Sequence, residues 1–268
     1  MATTADPARF IYRGNAMPLG GQISNVGGKP VSLLIPGPPT AALTVSGGFN
    51  RATGAGSRFE NVFSWGATFA EVTGAVREDG HPVTTVTASV ADVIAVNRPI
   101  QFEADLLKIT LVSDHPRVGQ PAIAPTEVVF GGRKGMFLDG KPVRVEWDND
   151  LGKYPTFTAF EEQYRGSDKF FRKYRERMRR PRAKAGVWGE RLPRIGGYVS
   201  TSIVRRIYWN EKKIEGHVLA LEGFGRIYFG EVLMNENNRR LTMLRFAMGS
   251  DVGAQASCAE ADPNGSWG

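Results

Sequence analysis

The chain has 268 residues, of which 41% are hydrophobic and 23% charged, a globular composition with enough apolar material for a sizeable core. Its formal charge of +7 points toward nucleic acid, an anionic membrane surface or an acidic protein as partner. The single cysteine, Cys258, excludes an intramolecular disulfide framework and any multi-cysteine zinc or iron–sulfur site.

Only His81, His115 and His217 could serve a metal or a general base as imidazoles. Met1 to Arg9 carries Asp6 and lacks the apolar run of a secretory signal. No segment is apolar for long enough to cross a bilayer as a helix, so a soluble, cytoplasmic protein in a reducing compartment is expected.

Thirty-two glycines and 16 prolines interrupt segments rich in Val, Ile, Thr and aromatic residues, the pattern of many short strands. Val86, Ala88, Val90, Ile94 and Val96 alternate with polar neighbours as in a half-buried strand, with Asp92 the exception on the apolar side. In the next segment Ile100, Phe102, Ala104 and Leu106 share one parity, and Leu107, Ile109 and Leu111 the other. A β-bulge near Leu106–Leu107 would restore the register. The stretches Asp79-Gly80-His81-Pro82 and Asp139-Gly140-Lys141-Pro142 read as Asp-Gly hairpin turns, each followed by a proline-initiated strand; Gly28-Lys29-Pro30 echoes them.

The one strong helical signal lies at Phe157, Phe160, Tyr164, Ser167, Phe171, Tyr174 and Met178, spaced alternately by three and four residues. Thr158 and Glu161 fit a capping box, Gly166-Ser167 offers a split, and Pro181 is a stop. The β pattern then resumes at about Tyr198–Trp209, Lys213–Glu222, Gly225–Met234 and Arg239–Met248, with Asn235 to Asn238 as a hairpin loop. The small, polar stretch 249–268, with Asp262-Pro263-Asn264-Gly265 as a turn, reads as a tail.

The expected fold is therefore mainly β, a twisted β-sandwich or barrel-like sheet of about a dozen strands with one inserted basic amphipathic helical segment. Residues 1–155 form the first part of the body, 156–186 the insert, 187–248 the closing strands and 249–268 the tail.

The positive charge is local. Ten basic residues lie between Arg165 and Lys184 against only Asp168 and Glu176, which gives this segment +8 and leaves −1 for the rest of the chain. On a helix, Phe170, Phe171, Tyr174 and Met178 would anchor one side, while Lys169, Arg172, Lys173, Arg175, Arg179 and Arg180 would be available for electrostatic docking. Such a face suits an acidic protein, a second copy of the chain, a phosphate backbone or an anionic lipid surface. It is equally the layout of a solvated face on a packed helix.

Catalytic motifs are thin. Gly135 to Lys141 has the spacing of a phosphate loop, but Pro142 replaces the required Ser or Thr and a strand follows instead of a helix. Cys258 sits among small residues with no basic neighbour in sequence, and His217 shares a face with Leu219 and Leu221. Glu146, Asp148 and Asp150 alternate at a strand end. This is a weak candidate set for Ca²⁺ or Mg²⁺, or for the paired carboxylates of a hydrolase or isomerase, and Asp92 is a further carboxylate of interest. No cofactor is implied. The balance favours a non-enzymatic structural or binding protein that self-associates or docks on an acidic partner, with catalysis or nucleic-acid or lipid binding as alternatives.

Overall fold

In the computed structural model, residues 9–26, 29–175, 177, 194–249 and 252–268 are described. In chain order the elements begin with β1 (Phe10–Val26), β2 (Lys29–Leu34), β3 (Ala41–Ala42), β4 (Gly48–Gly54), β5 (Ser57–Phe59) and β6 (Phe63–Trp65). There follow β7 (Thr68–Val76), β8 (Pro82–Asn97), β9 (Ile100–Asp114), β10 (Ala122–Phe130), β11 (Met136–Leu138) and β12 (Lys141–Trp147). Three short helices interrupt the strands: α1 (Asp150–Lys153), α2 (Phe157–Gly166) and α3 (Asp168–Arg175). The remaining strands are β13 (Arg194–Ile195), β14 (Tyr198–Ser202), β15 (Val204–Trp209), β16 (Lys212–Glu215), β17 (Val218–Leu221), β18 (Gly225–Met234), β19 (Arg239–Met248) and β20 (Val252–Trp267).

The protein is mainly β, as its alternating pattern requires, with two antiparallel sheets that do not close into a barrel. One has the order β13-β14-β18-β19-β20-β1-β2, with β17 beside β18 and β3 beside β1. The other runs β16-β15-β12-β11-β9-β8-β6-β5, with β10 beside β9 and the pair β7 and β4 beside β8. Aromatic rings from both sheets meet edge to face between them: Phe102 lies 5.5 Å from Phe246 and 6.3 Å from Phe229, and Phe63 lies 5.8 Å from Phe246. Buried rings of this size dominate a core's contribution to stability.

Local chemistry accounts for several elements. Asp139 and Gly140, at φ of 50° and 70°, make the two-residue turn that joins β11 to β12, a conformation that Asp-Gly adopts readily. The hairpin between β18 and β19 closes with Asn235 N donating to Asn238 O at 2.9 Å, and both strands have the bounds expected. Helices α2 and α3 divide at Ser167. The cap of α2 is Thr156, whose Oγ1 accepts from Ala159 N at 3.2 Å, two residues before the position read from the capping-box pattern.

Three expectations are corrected. The stretch 249–268 is not a tail: Val252–Trp267 forms β20, between β19 and β1. Its small residues Ala254, Ala256, Cys258, Ala259 and Ala261 are buried, because this strand is an inner one of its sheet and larger residues of neighbouring strands fill the space around them. Pro263 stands opposite Gly14 of β1, beyond the last position at which β20 pairs with β19, so its missing N–H costs no inner ladder bond.

Second, Ile94 and Val96 do not share the face of Val86, Ala88 and Val90; Val93 and Ala95 are buried in their place. Asp92, at φ 47°, turns the strand over. The parity change expected near Leu106 does occur in β9, but Val90 opposite Leu107 and Val93 opposite Ala104 keep one register, so both strands turn together. The same happens in the other sheet, where Ala259 (φ 50°) and Gly230 (φ 57°) lie on one level across β20, β19 and β18. Bulge-like residues at one level bend a sheet as a unit.

Third, the candidate strand Tyr198–Trp209 is two strands that part at Ile203, and Lys213–Glu222 is two that part at Gly216–His217; in each, the chain crosses from one sheet to the other. The positions Met178, Arg179, Arg180 and Pro181 lie outside the described residues.

Candidate functional site

Helix α3 is the element to which the sequence assigns docking. Its register buries Phe170 and Tyr174, with Phe171 half-buried against the same core. Phe160 of α2 meets Phe170 and Tyr174 at 5.3 and 4.8 Å, so the two helices share one aromatic cluster. That packing turns the next cations inward. Lys173 Nζ stands 3.0 Å from Asp148 Oδ2 and also pairs with Asp150. Arg177, almost fully buried, donates from Nη2 to Asp148 Oδ2 at 2.6 Å and from Nη1 to the carbonyl of Ser202 at 3.3 Å. The Tyr174 hydroxyl donates to Asp150 Oδ2 at 3.1 Å.

The acidic groove that could receive this basic helix is thus on the same chain. Burial raises the Asp148 carboxyl, but the hydrogen bonds and charges of Arg177 and Lys173 outweigh it and hold the group below the usual carboxylate range. The Tyr174 phenol is pushed upward, first by burial and then by the two aspartates, and stays protonated. This network fastens the insert to the body.

An Asp148→Asn variant is therefore expected to lose about 3 kcal/mol at neutral pH, because it leaves Arg177 buried with a diminished partner. The folded carboxyl titrates below the unfolded one, so the stabilisation is present above the unfolded value and is lost as pH falls through the folded value. Urea midpoints of the two proteins should differ most near neutrality and converge as pH falls through the titration of the folded carboxyl; a gap independent of pH would contradict this account.

Glu146 belongs to a separate group. It accepts from Arg205 and Arg206 at 3.1 and 3.2 Å and from the Tyr208 hydroxyl at 3.1 Å. Burial raises its carboxyl, but Tyr208, Arg206 and Arg205 together outweigh it and bring the group below its ordinary range. It lines an open depression of about 450 Å³ with Arg144, Val145 and Tyr208. Among the described residues no three His, Cys, Asp or Glu side chains stand close enough to share a metal ion. The oxygens of Asp148 and Asp150 meet Lys173, Arg177 and Tyr174 instead.

Other candidates are dispersed. The Asp92 side chain is exposed, 3.8 Å from Lys134. Cys258 is fully buried and its thiol is pushed up to about 12 by that burial, which removes the thiolate a nucleophile needs. His217 is buried at the crossing between β16 and β17. The phosphate-loop spacing at Gly135–Lys141 covers β11 and its turn, with no helix to bind an anion. On the insert, Arg165, Lys169 and Arg172 remain exposed, Arg172 beside Asp168 at 3.5 Å.

Two arginines escaped the sequence reading. Arg239 Nη1 donates to the carbonyls of Ile123 and Leu151 at 2.7 and 2.9 Å, and Nη2 to those of Tyr154 and Thr156 at 2.6 and 3.0 Å. Burial lowers its guanidinium to about 9, so it remains a cation at neutral pH. Its signal was its parity, which it shares with Leu241 and Met243 on the apolar face of β19. Arg177 likewise continues the Phe170, Tyr174 spacing.

Several strands end the sheets. Strand β16 carries Lys212 and Lys213, β13 is two residues long and β10 contains Pro125, all devices that discourage further pairing. Among the described residues strand β2 pairs with β1 alone, and Leu34 on it is 76% exposed with Leu33 at 37%. Among the same residues strand β4 pairs with β7 alone and exposes Phe49. Residues between them cross from one sheet to the other, where Leu43 N donates to Gly14 O at 2.9 Å and Tyr12 N to Val45 O at 3.1 Å. Both open edges therefore border one side of the sandwich.

No helix is long and apolar enough to cross a membrane among the described residues. A family model described as a domain of unknown function (DUF8256) matches residues 10–235, most of the chain, and the chain belongs to that family. No curated protein and no solved structure matches it.

Proposed function

We propose that this DUF8256 chain is a non-enzymatic assembly protein that self-associates by pairing β2 of one copy with β2 of another. What carries the reading is the β2 edge, a six-residue strand with one side unpaired and Leu33 and Leu34 exposed at its end. Edges of this kind are templates for strand addition, and a two-fold pairing of identical strands satisfies the backbone groups of both copies. Lys29 and Pro30 guard only the other end of the strand.

The basic insert supports a second reading, docking on an acidic partner, through Arg165, Lys169 and Arg172. Lys173 contributes little to it, since its charge is spent on Asp148 and Asp150. A nucleic acid or anionic lipid would use the same three side chains. A hydrolase or isomerase built on residues 146–150 is the reading supported least, because two of its three carboxylates sit in ion pairs beneath α3.

Light scattering decides between these. The wild-type chain should run as a dimer or larger species, and Leu34→Lys should shift it to monomer without a change in circular dichroism. A wild-type monomer at every concentration, or a Leu34→Lys variant with unchanged mass, rejects β2 pairing.

A further inference from the structure

We propose that a cavity at one end of the sandwich binds a small aromatic carboxylate. Its volume is about 380 Å³, in the range of small-molecule sites, and four segments distant in sequence converge on it. The start of β1 supplies Phe10 and Arg13, and the end of β20 supplies Asn264, Ser266 and Trp267. The connection from β9 to β10 adds His115, Pro116 and Pro121, and the β18–β19 hairpin adds Asn237.

The walls are aromatic and held in place. Phe10 packs 4.7 Å from His115 and 5.3 Å from Trp267, and the indole N–H of Trp267 donates to the carbonyl of Pro116 at 2.9 Å. A flat ring can lie against such a surface. The polar side chains of the lining, Asn237, Asn264 and Ser266, can each donate. Asn264 Oδ1 already accepts from Gly265 N at 2.7 Å, which leaves its amide hydrogens to offer.

Charge selects the ligand's other half. Arg51, Arg77, Arg194, Arg205, Arg206, Arg240 and Arg245 each hold a carboxylate. The Arg13 side chain makes no ion pair or hydrogen bond among the described residues, and Arg117 packs over the Trp267 ring at 5.6 Å without a carboxylate among them. Among the described residues no Asp or Glu lines the cavity. Two unneutralised guanidiniums beside an aromatic wall fit a planar carboxylate, which a guanidinium grips with two parallel hydrogen bonds. His115 lies in the wall as neutral imidazole at physiological pH, since burial lowers it to about 4, and so adds shape and not charge. The site is independent of the β2 edge, and either proposal stands if the other fails.

Three probes separate the contributions: benzoate, benzyl alcohol without the charge, and acetate without the ring. Titrations of the full chain followed by ligand-observed nuclear magnetic resonance should show saturable binding of benzoate, about tenfold or more tighter than either other probe. Arg13→Gln, on an exposed strand position and checked for unchanged melting, should weaken benzoate about tenfold while leaving benzyl alcohol unaltered. Trp267→Leu should weaken both aromatic probes. The proposal is overturned if benzoate does not saturate, if either control probe binds as well as benzoate, or if folded Arg13→Gln retains wild-type affinity.

Discussion

A chain that stops at Met248 is expected not to fold. Strand β20 pairs with β1 from Val252 opposite Val26 to Trp267 opposite Phe10, and on its other side with β19 from Ala254 opposite Met248 to Ala261 opposite Leu241. Without it two long strands lose their ladder inside the sheet, and Leu19, Leu244 and the aromatic rings facing it lose their cover. Buried backbone groups stripped of partners cost more than a domain's net stability of about 5–15 kcal/mol can absorb. The truncated chain should be insoluble or lack a cooperative thermal transition. A synthetic peptide of residues 249–268, added during refolding, should restore one by strand addition. A soluble truncated protein with the wild-type melting temperature would remove β20 from the sheet.

The second large effect is expected at Arg239. Its guanidinium holds the carbonyls of Ile123, Leu151, Tyr154 and Thr156, which belong to β10, α1 and the approach to α2, and ties them all to β19. Replacement by Met keeps an unbranched apolar stem and removes every donor. The carbonyls of Ile123, Leu151 and Tyr154 lose these donors, that of Thr156 keeps only Phe160 N at 3.2 Å, and a loss of about 5 kcal/mol follows even if water reaches some of them. Arg240 is the control one residue away: its side chain is 41% exposed and 3.6 Å from Glu260, and Arg240→Met should cost under about 1 kcal/mol. Urea unfolding of the two variants reads the difference directly. Comparable midpoints would mean that Arg239 does not hold the insert, which then rests on its aromatic cluster and the Asp148 ion pairs.

What was legible in the sequence follows from which forces act locally. Strands β18 and β19 were read with their bounds because side-chain alternation and an Asn-rich loop are short-range signals. The split between α2 and α3 was written at Gly166-Ser167. Strand β20 was hidden because Ala, Ser, Gly and Cys show no hydrophobic alternation. Their burial is decided by the size of residues in other strands. The change of face at Asp92 is visible as an anomaly, but its cause is the positive φ of Asp92, which β9 follows in register without a positive φ of its own.

The candidate site had the same limits. Asp148, Asp150 and Lys173 are candidates in the sequence and Arg177 is only counted among its basic residues; they stand 23 to 29 positions apart, and only the packing of Phe170 and Tyr174 of α3 brings them together. Charge counts along a chain cannot distinguish a cation that faces solvent from one that closes an internal pair. Arg239 differed, since its place on the apolar side of a well-defined strand was a readable sign of a buried cation.

The pairing of β1 with β20 has a consequence for the order of events during synthesis. Ser24 Oγ donates to the carbonyl of Gly253 across 229 positions of chain. At ribosomal speeds of about 5–20 residues per second, β1 waits roughly 10–50 s for the strand that will cover it. Over that interval the inner edge of the first sheet is open, and neighbouring nascent chains on the same message carry the identical edge. Translation rate and chaperone supply therefore set the yield of folded protein alongside its equilibrium stability.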